Sequence, residues 1–453
     1  MAVMSTSVVS VALPTIGRQL HASSASLEWI VDSYVIVYAS LLVAGGVVSD
    51  RRGRKGMFMT GVTLFGLGSL VAGIAPSVAW LLFGRVVQGL GPAIVTPTSL
   101  AIISATFDDP RERAAAIGVW SSGSGLALAL GPAIGGLLVD SIGWRSVFLL
   151  NVPVALAALA LGVRFIPLIA RTRAAGAFDA TGALLTTVGV GLLTFAIIEG
   201  PSRGWGSAPI LGAFVVAVFS LVAFVAWERH HESPLIDVSL FSRAPFTVAN
   251  LAGAAVFFAF IGGIVYLSAY FQQVQGRSAL GAGLAVLPVG AGFFFGAQLS
   301  GRIVGRIGPR LPMVLGLSLC GVAMLGLLRL AVGSSIGAVW WNLACVGLGG
   351  GLSLTPMTAT AMAAVGSERA GMASAIHNSM RQMGQALGVA VLGSFVYAGV
   401  AGGQAGGEWL VGAQAAAFVD GLHRAVAVSG GCLLLAAALT VALIPSGVLS
   451  RVG

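Results

Sequence analysis

Apolar segments of about 20 residues follow one another along almost the entire chain of 453 residues. Charged residues make up only 9% of the sequence, whereas a soluble domain carries about 25%. A chain with so little charge cannot cover itself with a water-facing surface. The length of the apolar segments matches the hydrocarbon thickness of a bilayer. The sequence therefore predicts an all-α integral membrane protein.

The apolar runs and the helix breakers between them predict fourteen membrane spans. The predicted spans cover residues 1–16, 27–49, 57–75, 78–101, 114–138, 147–166, 180–198, 209–227, 247–269, 281–300, 311–331, 335–364, 372–397 and 421–445. Of the 24 Lys and Arg residues, 16 lie on the side of the membrane that holds "DRRGRKG", six lie on the opposite side, and Arg85 and Arg381 fall within spans. The positive-inside rule then predicts that both termini are cytoplasmic. The net charge of +9 reflects this topology, so no nucleic-acid partner is expected.

Cysteine and lysine usage narrows the function classes. The three cysteines, Cys320, Cys345 and Cys432, lie singly within apolar runs, which predicts neither disulfides nor a metal site. The only lysine, Lys55, is followed by Gly56 and not by the Ser or Thr of a P-loop, so ATP binding through that motif is excluded. We also find no nucleophile–base pair typical of an enzyme. We expect no cofactor, with protons as the coupling ion.

The two halves of the chain repeat each other at an offset of about 256 positions, as in transporters built from repeated halves. "GVVSDRRGRK" (46–55) matches "GRIVGRIGPR" (301–310), and "ERAAAIG" (112–118) matches "ERAGMAS" (368–374). The "TP" at 96–97 recurs at 355–356. Repeated halves place a binding site at their interface.

The segment "GGVVSDRRGRKG" carries a specific motif. A plain positive-inside anchor explains its charges but not the fixed spacing of Gly46, Asp50 and Gly53. The segment resembles the signature that the major facilitator superfamily carries between spans two and three, G-x-x-x-D-R-x-G-R-[RK]. The matching residues are Gly46, Asp50, Arg51, Gly53, Arg54 and Lys55.

The fourth span, "LLFGRVVQGLGPA", resembles the family pattern L-x-x-x-R-x-x-Q-G-x-G-A-A, and Pro92 departs from it. The matching residues are Leu81, Arg85, Gln88, Gly89 and Gly91. An arginine within a span costs at least about 2.5 kcal/mol. We therefore expect Arg85 to face protein or water, and a structural ion pair is the alternative.

The fifth span, "GVWSSGSGLALALGPAIGG", resembles the antiporter signature of the same superfamily, a glycine-spaced helix that ends in GPxxGG. The matching residues are Gly118, Gly131, Pro132, Gly135 and Gly136, while Ala127 replaces a usual glycine. Small residues permit tight helix contact, and Pro132 removes a backbone donor and bends the helix. The resemblance implies that this helix and the motif around Asp50 form the conformational switch. A general helix-packing face is the alternative.

Two further stretches, "IGWRSVFLLNVP" (142–153) and "HNSMRQMGQALGVAVLG" (377–393), are similar to those of fourteen-span drug:proton antiporters, including antibiotic exporters of producer bacteria. The resemblance covers the whole chain. It implies a major facilitator fold with an N-terminal six-helix bundle (1–166), two extra helices and a cytoplasmic linker (167–246), and a C-terminal six-helix bundle (247–453). It also implies alternating access and a multi-pass location in the bacterial inner membrane, with lipid around a monomer.

Asp32 and Arg85 are the first candidates for proton coupling. Both lie at similar depth below the outer ends of their spans, and a buried carboxyl beside a cation can exchange a proton near neutral pH. A static ion pair that joins two helices is the alternative. Fourteen-span relatives often carry L-D-x-T-x-V-N-V-A-L-P in span one, whereas here Ser5 and Ser10 stand where the aspartate and asparagine would be. Because of this departure, Asp32 becomes a more important candidate for the proton site.

In span thirteen, His377, Arg381, Gly384 and Gly388 share one helical face because they follow a spacing of i, i+4, i+7 and i+11. His377 titrates near neutral pH in its unperturbed state and is a second proton-site candidate. A simple hydrogen bond is its alternative role. We predict that four polar residues line the substrate cavity: Gln88, Asn378, Arg381 and Gln382.

These features predict a proton-coupled antiporter that exports a hydrophobic or amphipathic drug or antibiotic. An uptake symporter and an exporter of an endogenous metabolite share the same fold and stay open as alternatives. A membrane sensor without transport activity would need an appended soluble domain. No loop of this chain exceeds about 25 residues, shorter than the typical domain of 50 or more.

Overall fold

The computed structural model describes residues 2–107, 110–167, 179–231, 234, 236–364, 370–400 and 409–444. These residues form fifteen α-helices. They are α1 (Ala2–Leu20), α2 (Ser24–Arg52), α3 (Arg54–Gly73), α4 (Val78–Thr106), α5 (Pro110–Ser141), α6 (Ser146–Leu149), α7 (Asn151–Phe165), α8 (Ala180–Arg203), α9 (Ala208–His230), α10 (Ala244–Ala269), α11 (Ala279–Ile307), α12 (Arg310–Leu325), α13 (Ile336–Ala363), α14 (Ala370–Tyr397) and α15 (Ala413–Leu443). A π-helical turn, Tyr270–Val274, extends α10, and a 3₁₀ turn, Gly326–Arg329, extends α12.

Every predicted span coincides with a helix, and the sixth is divided into α6 and α7. Within the described part of the chain, eleven helical segments are long and apolar enough to cross a membrane. Helices α1, α5 and α14 are not among them. Polar and charged residues lower the hydropathy of α1 and α14, whereas many side chains of α5 lie outside the described part of the structure. The all-helical membrane fold is therefore confirmed, while the count of fourteen spans stays a prediction.

Short polar residues and glycines define where the helices begin and end. The Ser23 hydroxyl caps α2 by accepting a hydrogen bond from the Ser26 N–H at 3.2 Å, and Ser278 caps α11 through the Gly281 N–H at 3.1 Å. Serine suits this position because its oxygen satisfies one of the unpaired N–H groups of the first turn. Helix α2 therefore begins three residues before the predicted span.

The internal repeat is visible in the backbone. Gly53 ends α2 with φ 105°, and Gly308 ends α11 with φ 78°. A positive φ favours glycine, which lacks a Cβ atom. Pro97 lies inside α4 and Pro356 inside α13, so the same breaker also recurs at matching positions of both halves.

Close packing of helices joins the two parts of the chain. Helices α1, α2, α3, α4, α5 and α7 pack among themselves, as do α10 to α15. Between these groups, α5 packs against α11, α2 against α14, and α1 against α10. The predicted bundle boundaries at residues 166 and 247 stay a prediction.

Helices α8 and α9 form a hairpin beside the two groups. Helix α8 packs against both α2 and α14, and the Trp29 and Phe195 rings lie 6.4 Å apart between centroids. Helix α9 packs on α8 and exposes apolar side chains on its other face, among them Val215 at 68% and Phe219 at 70%. Such a surface suits contact with lipid.

We use the term predicted outer end for the end of the molecule that holds the α1–α2 turn, His21–Ser23. The arginine distribution predicts that this end faces outward. The beginnings of α2 and α11 and the ends of α5, α10 and α14 lie there.

Candidate functional site

Asp32 lies in the third turn of α2 and is completely buried, with 0% exposure. Neither of its carboxylate oxygens has a hydrogen-bond partner among the described residues. Burial of a charged carboxylate without a partner is costly. In this conformation Asp32 is therefore best satisfied as the neutral, protonated acid.

The Arg85 guanidinium is also fully buried, at 0% exposure. Its Nε donates to the Ile30 carbonyl at 2.7 Å, and its Nη1 donates to the Ser5 hydroxyl at 3.1 Å and the Gln88 side-chain oxygen at 2.7 Å. The Gln88 amide in turn donates to the Ser69 hydroxyl at 2.6 Å. The guanidinium also lies 4.2 Å from the centroid of the Tyr34 ring, a favourable cation–π distance.

These contacts answer the question of an Asp32–Arg85 pair. Arg85 is near enough to attract Asp32 electrostatically, but it donates its hydrogen bonds to neutral acceptors. The predicted static pair is not formed in this conformation, because no Arg85 donor is hydrogen-bonded to Asp32 among the described residues. The Ser5 hydroxyl provides one of the neutral acceptors.

Gln88 differs from the expected cavity residue in its surroundings. Its side chain is fully buried, at 0% exposure, and both ends of its amide are hydrogen-bonded, to Arg85 and Ser69. In this conformation it holds the arginine in place. A role for Gln88 in contact with substrate stays a prediction.

His377 packs against α10. Its Nδ1 lies 3.3 Å from the Asn250 side-chain oxygen, and a Cβ atom at Gly253 would lie 2.9 Å from its Cε1. The Nε2 atom has no hydrogen-bond partner among the described residues. The shared face predicted for span thirteen is confirmed, since Gly384 and Gly388 also pack against α10, at Ala254 and Phe258.

Arg381 reaches the boundary between α14 and α2. Its guanidinium lies 4.1 Å from the Phe257 ring centroid and donates to the Asn378 side-chain oxygen at 3.2 Å. Tyr38 of α2 lies within electrostatic range of Arg381 and beside Gln382. Asn378, Arg381 and Gln382 thus lie near the boundary of the two helix groups. Tyr38 follows Asp32 by six residues, about 9 Å along the helix.

The switch candidates around the α2–α3 turn are partly described. Gly46 packs against Pro97, since a Cβ atom at Gly46 would lie 3.3 Å from the proline Cβ. Arg54 donates from Nη1 to the Ala101 carbonyl at 3.1 Å and so ties the turn to α4. Helix α2 runs through Asp50 and Arg51, whose side chains lie outside the described part of the structure.

The glycine-rich helix α5 lies between α1 and α11. Gly131 and Gly135 face α1, and a Cβ atom at Gly135 would lie 2.9 Å from the Val8 carbonyl oxygen. Gly136 faces α11, where a Cβ atom would lie 2.6 Å from the Leu280 Cα. The Pro132 carbonyl approaches Gly283 of α11. Small residues therefore permit close contact on both sides of α5, whereas a switching role stays a prediction.

Sequence reasoning missed Glu28. The predicted span began at residue 27 and left this residue at the membrane boundary. Because α2 begins at Ser24, Glu28 lies inside the protein at 6% exposure. Its spacing of four residues from Asp32, which places both on one helical face, was the available signal. Tyr34 and Asn250, the partners of Arg85 and His377, had no such signal.

The model of the Major Facilitator Superfamily matches residues 1–389 of this chain. The chain belongs to the major facilitator superfamily. It is thus a multi-pass membrane transporter and not an enzyme. The helical repeat, the arginine in α4 and the glycine-rich α5 are accordingly features of a facilitator-type transporter.

Curated relatives of this transporter carry names that refer to drug resistance. It is 40% identical over 393 residues to the "Multidrug resistance protein Stp" of Mycobacterium tuberculosis, and this alignment covers 86% of this chain and 72% of that protein. It is 34% identical to the "Tetracenomycin C resistance and export protein" of Streptomyces glaucescens, over 87% of this chain and 73% of that protein. It is 35% identical to the "Puromycin resistance protein pur8" of Streptomyces alboniger, over 98% of this chain and 89% of that protein.

Solved structures agree on the fold of this facilitator-type transporter. A bacterial homologue of the human lysosomal transporter Spinster, in an inward-facing and unoccupied conformation, aligns with a TM-score of 0.70 at 20% identity, over 99% of this chain and 95% of that one. A POT family transporter in complex with 5-aminolevulinic acid aligns with a TM-score of 0.70 at 14% identity, over 97% and 93%. At such identities the likeness supports the fold alone.

Proposed function

We propose that this protein is a fourteen-span drug:proton antiporter that exports a hydrophobic or amphipathic drug or antibiotic by alternating access. The resistance and export proteins named above support the substrate class, because they are similar over most of both chains. The motifs at α2–α3 and α5 support the antiporter type. Protons are the coupling ion, and no other cofactor is involved.

The observation that carries the proton role is the isolated carboxyl of Asp32. It is completely buried and has no hydrogen-bond partner among the described residues, while the nearby Arg85 is held by neutral acceptors. Loss of the proton would leave a negative charge that needs either Arg85 or water. The charge state of Asp32 is therefore linked to the arrangement of the surrounding helices.

This linkage suggests a transport cycle. Substrate binding and protonation of Asp32 disfavour each other, and such coupling is reciprocal. Protonation from outside promotes release of the drug, and loss of the proton to the cytoplasm resets the carrier. One charge that moves through 100 mV supplies about 2.3 kcal/mol, enough for a concentration ratio of a few tens.

The proposal includes an orientation and a division into parts. The 16 to six distribution of Lys and Arg supports cytoplasmic termini in the bacterial inner membrane. Two six-helix bundles move against each other, and α8 and α9 lie beside them in a transporter that acts as a monomer. The motif around Asp50 and Arg51 and the glycine face of α5 form the switch. Asn378, Arg381 and Gln382 contact the drug.

Uphill transport in proteoliposomes tests the role of Asp32. We would purify the wild type and Asp32→Asn, reconstitute both, and impose a pH gradient in the presence of radiolabelled puromycin or tetracenomycin C. The wild type should accumulate drug against its gradient. Asp32→Asn cannot release a proton, so it should exchange drug across the membrane without accumulating it.

Asp420→Asn is the matched control, because Asp420 is an exposed carboxyl on α15. It should accumulate drug as the wild type does. If Asp32→Asn still concentrates drug in response to the pH gradient, the proton role of Asp32 is wrong. If drug moves inward with the protons, the protein is an uptake symporter.

A further inference from the structure

A small cavity lies at the predicted outer end, between α1 and α2 on one side and α10 and α14 on the other. Its polar lining includes Glu28 of α2, Tyr266 of α10, Gln273 of the π-helical turn and Tyr397 of α14. Gln273 is only 1% exposed, and its amide lies beside the Tyr397 hydroxyl but makes no hydrogen bond of ordinary geometry with the described residues. Buried polar atoms without a protein partner are the usual binding site of an internal water.

The contact of Glu28 with Tyr266 indicates which form of the acid fits this cavity. The Tyr266 hydroxyl lies 2.5 Å from the Val389 carbonyl oxygen and 3.4 Å from the Glu28 Oε1. A phenol has one hydrogen, and the carbonyl can only accept it. The Tyr266 hydroxyl therefore donates its hydrogen to the Val389 carbonyl. Only a protonated Glu28 has a hydrogen of its own to donate to the Tyr266 oxygen.

Glu28 also lies one helical turn from Asp32. Four residues correspond to about 6 Å along the axis, and side chains at this spacing are neighbours on one face. Asp32 and Glu199 of α8 both lie within electrostatic range of Glu28. Ionisation of one of two neighbouring buried carboxyl groups disfavours ionisation of the other, so the two acids are coupled in their uptake of protons.

The remaining groups that face this pair are few. Arg85 of α4 lies near Asp32, and the Tyr266 and Tyr397 phenols lie on the side of Glu28. Helix α1 contributes the uncharged Leu13 and Pro14. Glu28 therefore lies between the polar cavity and Asp32, and Arg85 lies on the side of Asp32.

We propose that Glu28 is the first proton acceptor on the route from the predicted outer end to Asp32. A proton from water in the cavity binds the Glu28 carboxylate. It then passes to the Asp32 carboxylate one turn deeper, and Glu28 takes up another proton from the cavity. This inference rests on the proposed function, in which Asp32 is the proton carrier.

Time-resolved infrared spectroscopy after a drop in pH tests this route without a substrate. We would place the protein in lipid nanodiscs and follow the carboxylic acid C=O stretch, whose bands are assigned with Glu28→Gln and Asp32→Asn. In the wild type, the Glu28 band should appear before the Asp32 band. In Glu28→Gln, protonation of Asp32 should slow about 100-fold, because a positioned side chain accelerates proton transfer by that order.

Matched variants separate the possible results. Glu28→Asp keeps a carboxyl and should restore most of the rate, and Asp420→Asn should leave both bands unchanged. The proposal is overturned if Asp32 in Glu28→Gln is protonated at the wild-type rate, or if the Asp32 band precedes the Glu28 band in the wild type. The second comparison decides even if Glu28→Gln does not fold, because Asp32→Asn assigns the Asp32 band and the shifted band of Glu28→Asp assigns that of Glu28. A wild-type Asp32 that never responds to pH instead contradicts the proposed function, whatever the behaviour of Glu28.

Discussion

Arg85 shows how a cation can be held inside a membrane protein without an anionic partner. Three hydrogen bonds from its Nε and Nη1 to neutral acceptors and the Tyr34 ring hold its guanidinium, while its Nη2 has no hydrogen-bond partner among the described residues. Hydrogen bonds to a charged group are worth about 1.5–3 kcal/mol each, which offsets much of the cost of burial. None of these contacts involves Asp32, so Arg85 is held in this conformation without the help of the acid.

His377 provides a contrast with Asp32. Its Nδ1 is engaged with Asn250, and its Nε2 faces no acceptor among the described residues. Arg381, which lies one turn away on the same helix, would repel a positive charge on the ring. We therefore expect His377 to stay neutral and to serve in helix packing.

A substitution distinguishes the two roles of His377. We predict that His377→Gln accumulates drug in response to a pH gradient as the wild type does, because no proton site is removed. Loss of the hydrogen bond to Asn250 should lower the free energy of unfolding by about 1 kcal/mol. Transport assays and thermal unfolding measure the two effects. A variant that exchanges drug but no longer accumulates it would restore His377 as a proton site.

Helix α5 depends on the absence of side chains at particular positions. Gly136 touches the backbone of α11, whereas a Cβ atom at Gly123 of the same helix would meet no atom of the described residues within 4 Å. Since backbone cannot move as a flexible side chain does, extra volume at Gly136 must separate the two helices.

This difference gives a matched pair of variants. Gly136→Ala should lower the free energy of unfolding by about 1–3 kcal/mol, the usual cost of overpacking, and it should weaken the contact of α5 with α11. Gly123→Ala should be neutral or stabilising by up to about 1 kcal/mol, the difference in helix propensity. Unfolding in detergent, followed by circular dichroism, measures both. Equal effects of the two substitutions would contradict the packing argument.

Asp140, at the end of α5, caps α11. Its Oδ1 accepts from the Ala279 N–H at 3.1 Å, and its Oδ2 accepts from the Leu280 N–H at 2.8 Å. A carboxylate at this position satisfies two unpaired N–H groups and interacts favourably with the helix dipole. One side chain thus joins helices that belong to opposite halves.

We predict that Asp140→Asn loosens this joint, because an amide has one acceptor oxygen and no charge. The cost should be about 1 kcal/mol, as for other helix caps. Hydrogen exchange at the Ala279 and Leu280 amides should become faster, while exchange within α12 stays unchanged. Asp420→Asn is the control. If the two amides keep their wild-type protection in Asp140→Asn, the cap does not hold α11.

Several contacts join the two halves at the predicted outer end. Besides the Asp140 cap, the Gln272 amide of the π-helical turn donates to the Val11 carbonyl of α1 at 2.9 Å, and Glu28 meets Tyr266. Alternating access requires that these contacts separate when the carrier opens at this end. Protonation of Glu28 completes one of them, so the proton and the closed arrangement support each other.

Surface labelling tests the orientation of the protein. In a background without the three native cysteines, we predict that Arg203→Cys reacts with a membrane-impermeant maleimide in intact cells. Arg52→Cys should react only after the cells are opened, because the positive-inside rule places the α2–α3 turn in the cytoplasm. The reverse pattern would invert the proposed topology and with it the direction of the proton route.

The apolar runs and the spaced motifs were sufficient to predict the helices and the superfamily. These features are local, since a bilayer imposes a length and a composition on every segment that crosses it. The sequence alone likewise shows that Gly136 has no side chain and that Asp32 carries a carboxyl group within an apolar span.

Only the tertiary structure decided which groups meet. It separated Asp32 from the hydrogen bonds of Arg85, packed the polar face of α14 against α10, and placed Glu28 inside the protein beside Tyr266. Each of these outcomes depends on distances of a few ångströms between helices that are remote in the chain. The Ser23 cap starts α2 about one turn before the predicted span. A hydropathy pattern does not show this extension, and because of it Glu28 lies between the two halves.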